Sequence, residues 1–170
     1  MTTFHFAGFH PPTDKINFSQ ITSVLGQLKK LCLINYMVET PYELNFQCVI
    51  DLMKRNKSTL KHVHFFTRNI NDQIIQSIGC IEDLNLRSFS LKICENVTDS
   101  GLQKLFESQK NISCLDLTSC RKITNQSLAM ICQNLPRITS LKMSGCSGIT
   151  KVSLIFTAKT FSLFVKLIFL

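Results

Sequence analysis

Residues 86–111 read LRSFSLKICENVTDSGLQKLFESQKN, residues 112–137 read ISCLDLTSCRKITNQSLAMICQNLPR, and residues 138–154 read ITSLKMSGCSGITKVSL. Aligned, the three segments share an apolar frame L-x-x-L-x-L followed by a cysteine. Leu86, Phe89 and Leu91 precede Cys94; Ile112, Leu115 and Leu117 precede Cys120; Ile138, Leu141 and Met143 precede Cys146. Each cysteine opens a version of C-x-x-I-T-D-x-G-L, namely CENVTDSGL, CRKITNQSL and CSGITKVSL, and the step between copies is 26 residues. One step back lie Leu60, Val63 and Phe65, with Arg68 in the cysteine position. One step forward lie Phe164, Leu167 and Phe169. Looser copies of the frame stand at Leu28, Leu31 and Leu33 and at Met1, Phe4 and Phe6. A fixed period of this length marks a stacked repeat and sets the fold class before any single element is assigned.

Within a unit the apolar alternation predicts a short strand. The spacing of Leu102, Leu105 and Phe106, and of Leu128, Ile131 and Cys132, then predicts a helix. Thr98, Thr124 and Thr150 stand where each helix should begin, and a Thr hydroxyl there can accept a hydrogen bond from an unpartnered amide of the first turn. Cys80 and Cys132, two periods apart in the helical part, read as core. A strand, turn and helix of this size cannot bury both faces alone, so the units must stack on one another. The expected architecture is an α/β solenoid, a horseshoe with a parallel β-sheet on its concave face and helices on its convex face. It occupies residues 1–170 as one array, with degenerate repeats over 1–59, clear repeats over 60–163 and a truncated repeat over 164–170.

Composition agrees with a folded chain. The 170 residues are 45% apolar and 18% charged, with 13 Phe but only 6 Gly and 4 Pro, which excludes a disordered linker or a collagen-like chain. The net charge of +8 is spread along the sequence with no dense basic block, so a nucleic-acid partner is not expected. Eight Cys would suit disulfides in a secreted chain, but the start MTTFHFAGFHPPTDK lacks the basic opening and apolar run of a secretory signal. A reducing compartment, cytoplasmic or nuclear, is therefore expected.

A 26-residue unit with Cys where many such repeats have Asn, followed by I-T-D-x-G-L, resembles the cysteine-containing leucine-rich repeats of F-box/LRR proteins. The likeness is closest over residues 86–154, fair over 60–85 and 155–170, and weak over 1–59. Members of that family are substrate receptors of cullin-type ubiquitin ligases, whose F-box docks on the ligase and whose repeats hold the substrate. The resemblance implies a leucine-rich repeat solenoid that is not an enzyme, takes no cofactor, holds a protein substrate or partner, and meets ubiquitin-ligase components only indirectly. No room for an F-box remains before Leu28, and the chain stops directly after the strand of a further copy. The sequence thus reads as a fragment, an alternative transcript or an incomplete gene model.

Strand side chains alternate between faces, so residues between the frame positions point outward in three rows. The middle row is His5, Cys32, His64, Ser90, Asp116, Lys142 and Ile168. Beside it run Thr3, Lys30, His62, Ser88, Cys114, Ser140 and Lys166, and Ala7, Ile34, Phe66, Lys92, Thr118, Ser144 and Leu170. Lys30, His62, His64, Phe66, Ser88, Ser90, Lys92, Asp116, Thr118, Lys142 and Ser144 are the candidate partner-binding residues. Cys94, Cys120 and Cys146 read as buried structural side chains, because stacked turns do not bring four ligands to one point as zinc requires. His5, Cys32, His62 and His64 form an alternative metal or thiol site on neighbouring strands, although no orienting carboxylate or helix N-terminus accompanies it. A further alternative is a truncated isoform with no independent function. The apolar tail from Val152 is interrupted by Lys159 and Lys166, and the repeat phase makes it a strand rather than a membrane span. No phosphate loop, nucleophile elbow or paired-carboxylate site is visible.

Overall fold

The computed structural model describes residues 3–7, 25–34, 46–150, 152–153 and 166–168. Strands occur where the frame repeats: β1 (Thr3–Ala7), β2 (Lys30–Ile34), β3 (His62–Phe66), β4 (Ser88–Lys92), β5 (Cys114–Asp116), β6 (Ser140–Lys142) and β7 (Lys166–Ile168). They form one 7-stranded sheet in chain order, and every neighbouring pair is parallel. Parallel neighbours need a crossover connection. Helices α1 (Phe46–Arg55), α2 (Asp72–Gly79), α3 (Asp99–Ser108) and α4 (Asn125–Asn134) lie in those connections. Of the apolar tail, Lys166–Ile168 pairs with β6 as the repeat phase requires, and most of the rest lies outside the described residues. No helix among the described residues is long and apolar enough to cross a membrane.

The core lies between the sheet and the helices. Leu31, Val63, Phe89, Leu115 and Leu141 sit side by side on consecutive strands, and the frame residues Leu60, Leu86, Ile112 and Ile138 are buried with them. Leu102, Leu105 and Phe106 of α3 and Leu128 and Ile131 of α4 close the same cluster. Gly79 lets α2 approach α3, since a Cβ there would lie 2.8 Å from the Leu105 amide nitrogen. Cys132 is half-buried, whereas Cys80 is exposed, against the expectation that both are core. The reason is local. Helix α2 ends at Gly79 and Cys80 is its C-cap, so no further turn carries the side chain inward.

After each of β4, β5 and β6 the chain turns through a left-handed residue: Ile93, Ser119 and Gly145, with φ of 58°, 60° and 71°. The next residue is the repeat cysteine. Its thiol donates to a carbonyl of the preceding unit, Cys94 to Thr67 at 3.2 Å, Cys120 to Leu91 at 3.4 Å and Cys146 to Leu117 at 3.0 Å. All three are buried. Burial pushes the Cys146 thiol up to about 12, and contact with Cys94 together with burial raises that of Cys120 as well. Thiolates are the reactive form, so alkylation followed by mass spectrometry should label Cys80 and Cys114, both exposed. Cys94, Cys120 and Cys146 should stay unlabelled until the protein unfolds; fast labelling of Cys120 in the native state would contradict this packing.

The role of the Asp in I-T-D is visible only in the stack. Asp72, first residue of α2, accepts the Thr98 amide at 2.7 Å and the Thr98 hydroxyl, one unit further on. Asp99 does the same for the Thr124 amide (2.9 Å) and hydroxyl (2.7 Å), and also accepts from the amide and hydroxyl of Ser127. Asn125 continues the series with the Thr150 amide at 3.0 Å. Thr124 and Thr150 also accept bonds from their own first turns, from Gln126 and Ser153. Thr98 makes no such cap, contrary to the sequence expectation, although its hydroxyl donates to Asp72 just as that of Thr124 donates to Asp99. Gly101 leaves the space that Asp72 fills, as a Cβ there would fall 2.9 Å from the Asp72 Cα.

Burial alone would raise the Asp99 pKa, but the hydrogen bonds from Ser127 and Thr124 outweigh it and hold the carboxyl below its usual range. The unfolded chain therefore takes up its proton first, near the ordinary value of about 3.9. The stabilisation is complete above that pH and is lost as pH falls through the lower folded value. Thermal unfolding followed from about pH 6 to about pH 2 should show a steeper loss in the native protein than in Asp99→Asn, which has no carboxylate to protonate there.

Candidate interaction face on the sheet

The sheet has one face against the helices and one turned away from them. On the outward face the register reproduces two of the rows over the whole sheet. Thr3, Lys30, His62, Ser88, Cys114, Ser140 and Lys166 stand in line, as do His5, Cys32, His64, Ser90, Asp116, Lys142 and Ile168. The third row runs through Ala7, Ile34, Phe66 and Lys92. It ends there because β5 and β6 stop at Asp116 and Lys142. Thr118 and Ser144 therefore lie in turns beyond the ladder. Thr118 is held by its own unit, its amide and hydroxyl both donating to Asp116 Oδ1 at 3.1 and 2.6 Å. Leu170 lies outside the described residues.

Within these rows His62 and Cys114 are exposed, and Lys30, His64, Phe66, Ser88, Lys92, Asp116 and Lys142 are partly exposed. Ser90 is not available as expected, with only 4% of its surface exposed. Its short side chain lies between His64 and Asp116 in register, and Lys92 reaches across to Asp116 with Nζ 3.3 Å from Oδ2. The longer neighbours cover it. Desolvation, reinforced by the nearby Lys30 charge, lowers the pKa of both His62 and His64, so both imidazoles are neutral at pH 7.

Cys32 stands between His5 and His64, as the alternative site required. The donors do not converge, however. Among the described residues no three His, Cys, Asp or Glu side chains come close enough together to hold a metal ion. Burial raises the Cys32 pKa and Lys30 offsets this only in part, so the thiol stays protonated. This is the reverse of an activated thiolate.

Sequence reasoning also missed two buried amides that serve the stack. The Asn56 side chain accepts from the Leu28 amide at 2.9 Å and donates to the Leu52 carbonyl, and Gln109 accepts from the Leu86 amide at 3.1 Å. Each reaches from the end of a helix to the first frame residue before the preceding strand. Asn and Gln differ in length and the two lie 53 residues apart, so no periodic signal announces them.

No protein-family model matches the sequence, and no curated protein matches it. Among solved structures, a chain of the yeast Rad7 and Elc1 complex is similar, with a TM-score of 0.64 and 19% sequence identity. The match covers 83% of this chain and 33% of that one, so this chain spans about a third of its neighbour's length. The fold is leucine-rich-repeat-like. Parallel strands in chain order, helix-bearing crossovers between β2 and β6 and the left-handed turn before each buried cysteine are the elements that build it here.

Proposed function

We propose that this protein is a non-enzymatic interaction module, a leucine-rich repeat horseshoe that holds a protein partner on the outward, concave face of its sheet. The observation that carries the reading is the register. It places side chains with no core role in straight rows across consecutive strands, while the opposite face takes all the apolar packing. Regular arrays of this kind present extended surfaces suited to macromolecules. The C-x-x-I-T-D-x-G-L units support a kinship with the substrate-holding repeats of F-box/LRR ubiquitin-ligase receptors, acting in the cytoplasm or nucleus. The likeness to a chain found in a complex of Rad7 and Elc1 is in keeping with a role in protein assembly.

Replacing His64, Lys92, Asp116 and Lys142 together with Ala tests the proposal. All four lie on the outward face and none belongs to the buried core. Affinity capture from cell extract should recover specific partners with the native protein and lose them with the variant, while circular dichroism stays unchanged. Retention of every partner would refute the sheet face as the binding surface. Recovery of cullin-adaptor components with the native protein would tie the module to ubiquitin ligation; their absence would leave a binding module detached from it.

A further inference from the structure

The carboxylates on this molecule are unevenly divided between its elements. On the strands and the residues just before them stand Lys29, Lys30, Lys61, Arg87, Lys92 and Lys142, with Asp116 as the one carboxylate among the described residues there. The other described carboxylates, at Asp51, Asp72, Glu82, Asp83, Glu95, Asp99 and Glu107, lie on helices or in the turns that lead into and out of them. Asp116 is already matched by Lys92, which neutralises the far end of β4. On β2, β3 and β4 the remaining positive charge lies at the entry ends.

There the backbone sets the positions. The Lys29 carbonyl accepts from the Lys61 and His62 amides, the Lys61 carbonyl from the Arg87 and Ser88 amides, and the Arg87 carbonyl from the Ser113 and Cys114 amides. Lys29, Lys61 and Arg87 are thus equivalent residues on three consecutive rungs, with Lys30 beside the first. None of these four has a carboxylate within ion-pair distance among the described residues. The next rungs carry Ser113 and Thr139, whose hydroxyls are committed to the Arg87 and Ser113 carbonyls, so the basic stretch ends at β4. The downward pull of Lys30 on both His62 and His64 reports the same positive potential.

We infer that the row Lys29, Lys61 and Arg87, with Lys30, docks an acidic, extended segment of the partner protein, laid across the strands at their entry ends. The inference rests on the reading of the sheet as an interaction face and specifies what the face selects. Three rungs span about 10 Å, the length of about three or four extended residues, so a short run of Asp and Glu suffices to engage every cation. Charge matching of this sort sets orientation and the rate of encounter more than total affinity. A nucleic acid fits less well, because single strands are held by aromatic platforms as well as cations, and no Phe, Tyr or Trp stands among these basic positions.

The test uses the full chain and a fluorescein-labelled peptide of alternating Glu and Ser, with a Gln and Ser peptide and an oligouridylate as comparisons. The acidic peptide should bind, weaken as salt is raised, and lose about tenfold or more in affinity in Lys29→Glu/Lys61→Glu/Arg87→Glu. The same charge change made elsewhere, in Lys104→Glu/Arg121→Glu/Lys122→Glu, should leave binding in place. Equal loss in both triple variants would overturn the inference, because net charge rather than the row would then be responsible. Tighter binding of the oligouridylate, abolished by the first variant, would overturn it in favour of a nucleic acid. Absence of peptide binding, with partner capture that survives the row reversal yet fails in the His64, Lys92, Asp116 and Lys142 variant, would refute the acidic segment and leave the interaction face standing.

Discussion

Phe89→Ala is expected to destabilise the fold by about 3–5 kcal/mol, the usual cost of deleting a fully buried aromatic ring from a packed core. Phe89 has no exposed surface. It stands between Val63 and Leu115 in the sheet register, and its ring meets that of Phe65 edge to face with centroids 6.1 Å apart. The substitution removes both the burial and the aromatic pair, which adds about 0.5–1.5 kcal/mol beyond area. Since single domains are held by only about 5–15 kcal/mol, denaturant unfolding should move to markedly lower concentration. A midpoint within error of the native protein would mean that the central strands do not share one core. Phe89→Leu fills much of the volume and should lose far less.

The second large effect is expected at Asp99, whose contacts between units are polar. Asp99→Ala leaves four donors without their acceptor, the amides and hydroxyls of Thr124 and Ser127. The Ser127 side chain is fully buried and has no route to water. Bonds to a charged group contribute about 1.5–3 kcal/mol each, and the more exposed donors recover part of that from solvent, so a net loss of about 3 kcal/mol is expected. The carboxylate also faces the N-terminus of α4, where a negative charge is favoured. Asp99→Asn keeps one acceptor oxygen and should cost about half as much, since Asn125 already performs this task for Thr150. Urea unfolding of the three proteins checks the order native, Asn, Ala. An Ala variant as stable as the native protein would show that the contact between units contributes nothing.

What could be read in advance divides along a physical line. The rows from His62 to Ser140 and from His64 to Lys142 were legible because two periods, 26 residues along the chain and two within a strand, together determine which side chains stand abreast. Contacts between units were not. Thr98 and Asp72 are both ordinary helix-start residues, and only the offset between stacked turns shows that one hydroxyl donates to its neighbour's carboxylate. Ser90 failed for a different reason: alternation gives the face of a residue but not the reach of the side chains around it. Thr118 and Ser144 failed because the frame marks where a strand begins more clearly than where it ends. The same period sets Lys61 beside Arg87, but they stand one place before the alternating segment that defines the outward rows, and it is the backbone hydrogen bonds that bring Lys29 into line with them.

The turn-and-cap contacts run in opposite senses along the chain. At the three junctions between the units that begin at Leu60, Leu86, Ile112 and Ile138, a thiol reaches back to the carbonyl behind it, from Cys94, Cys120 and Cys146, and a side-chain oxygen reaches ahead to the helix in front, from Asp72, Asp99 and Asn125. Each of these three junctions is therefore made of the same two handshakes. Duplicating or excising one whole unit would rejoin compatible ends, whereas adding a single residue inside a unit would spoil the junctions on both sides. A chain assembled this way can change length in whole modules far more readily than it can tolerate small insertions, and its outward rows lengthen or shorten with it.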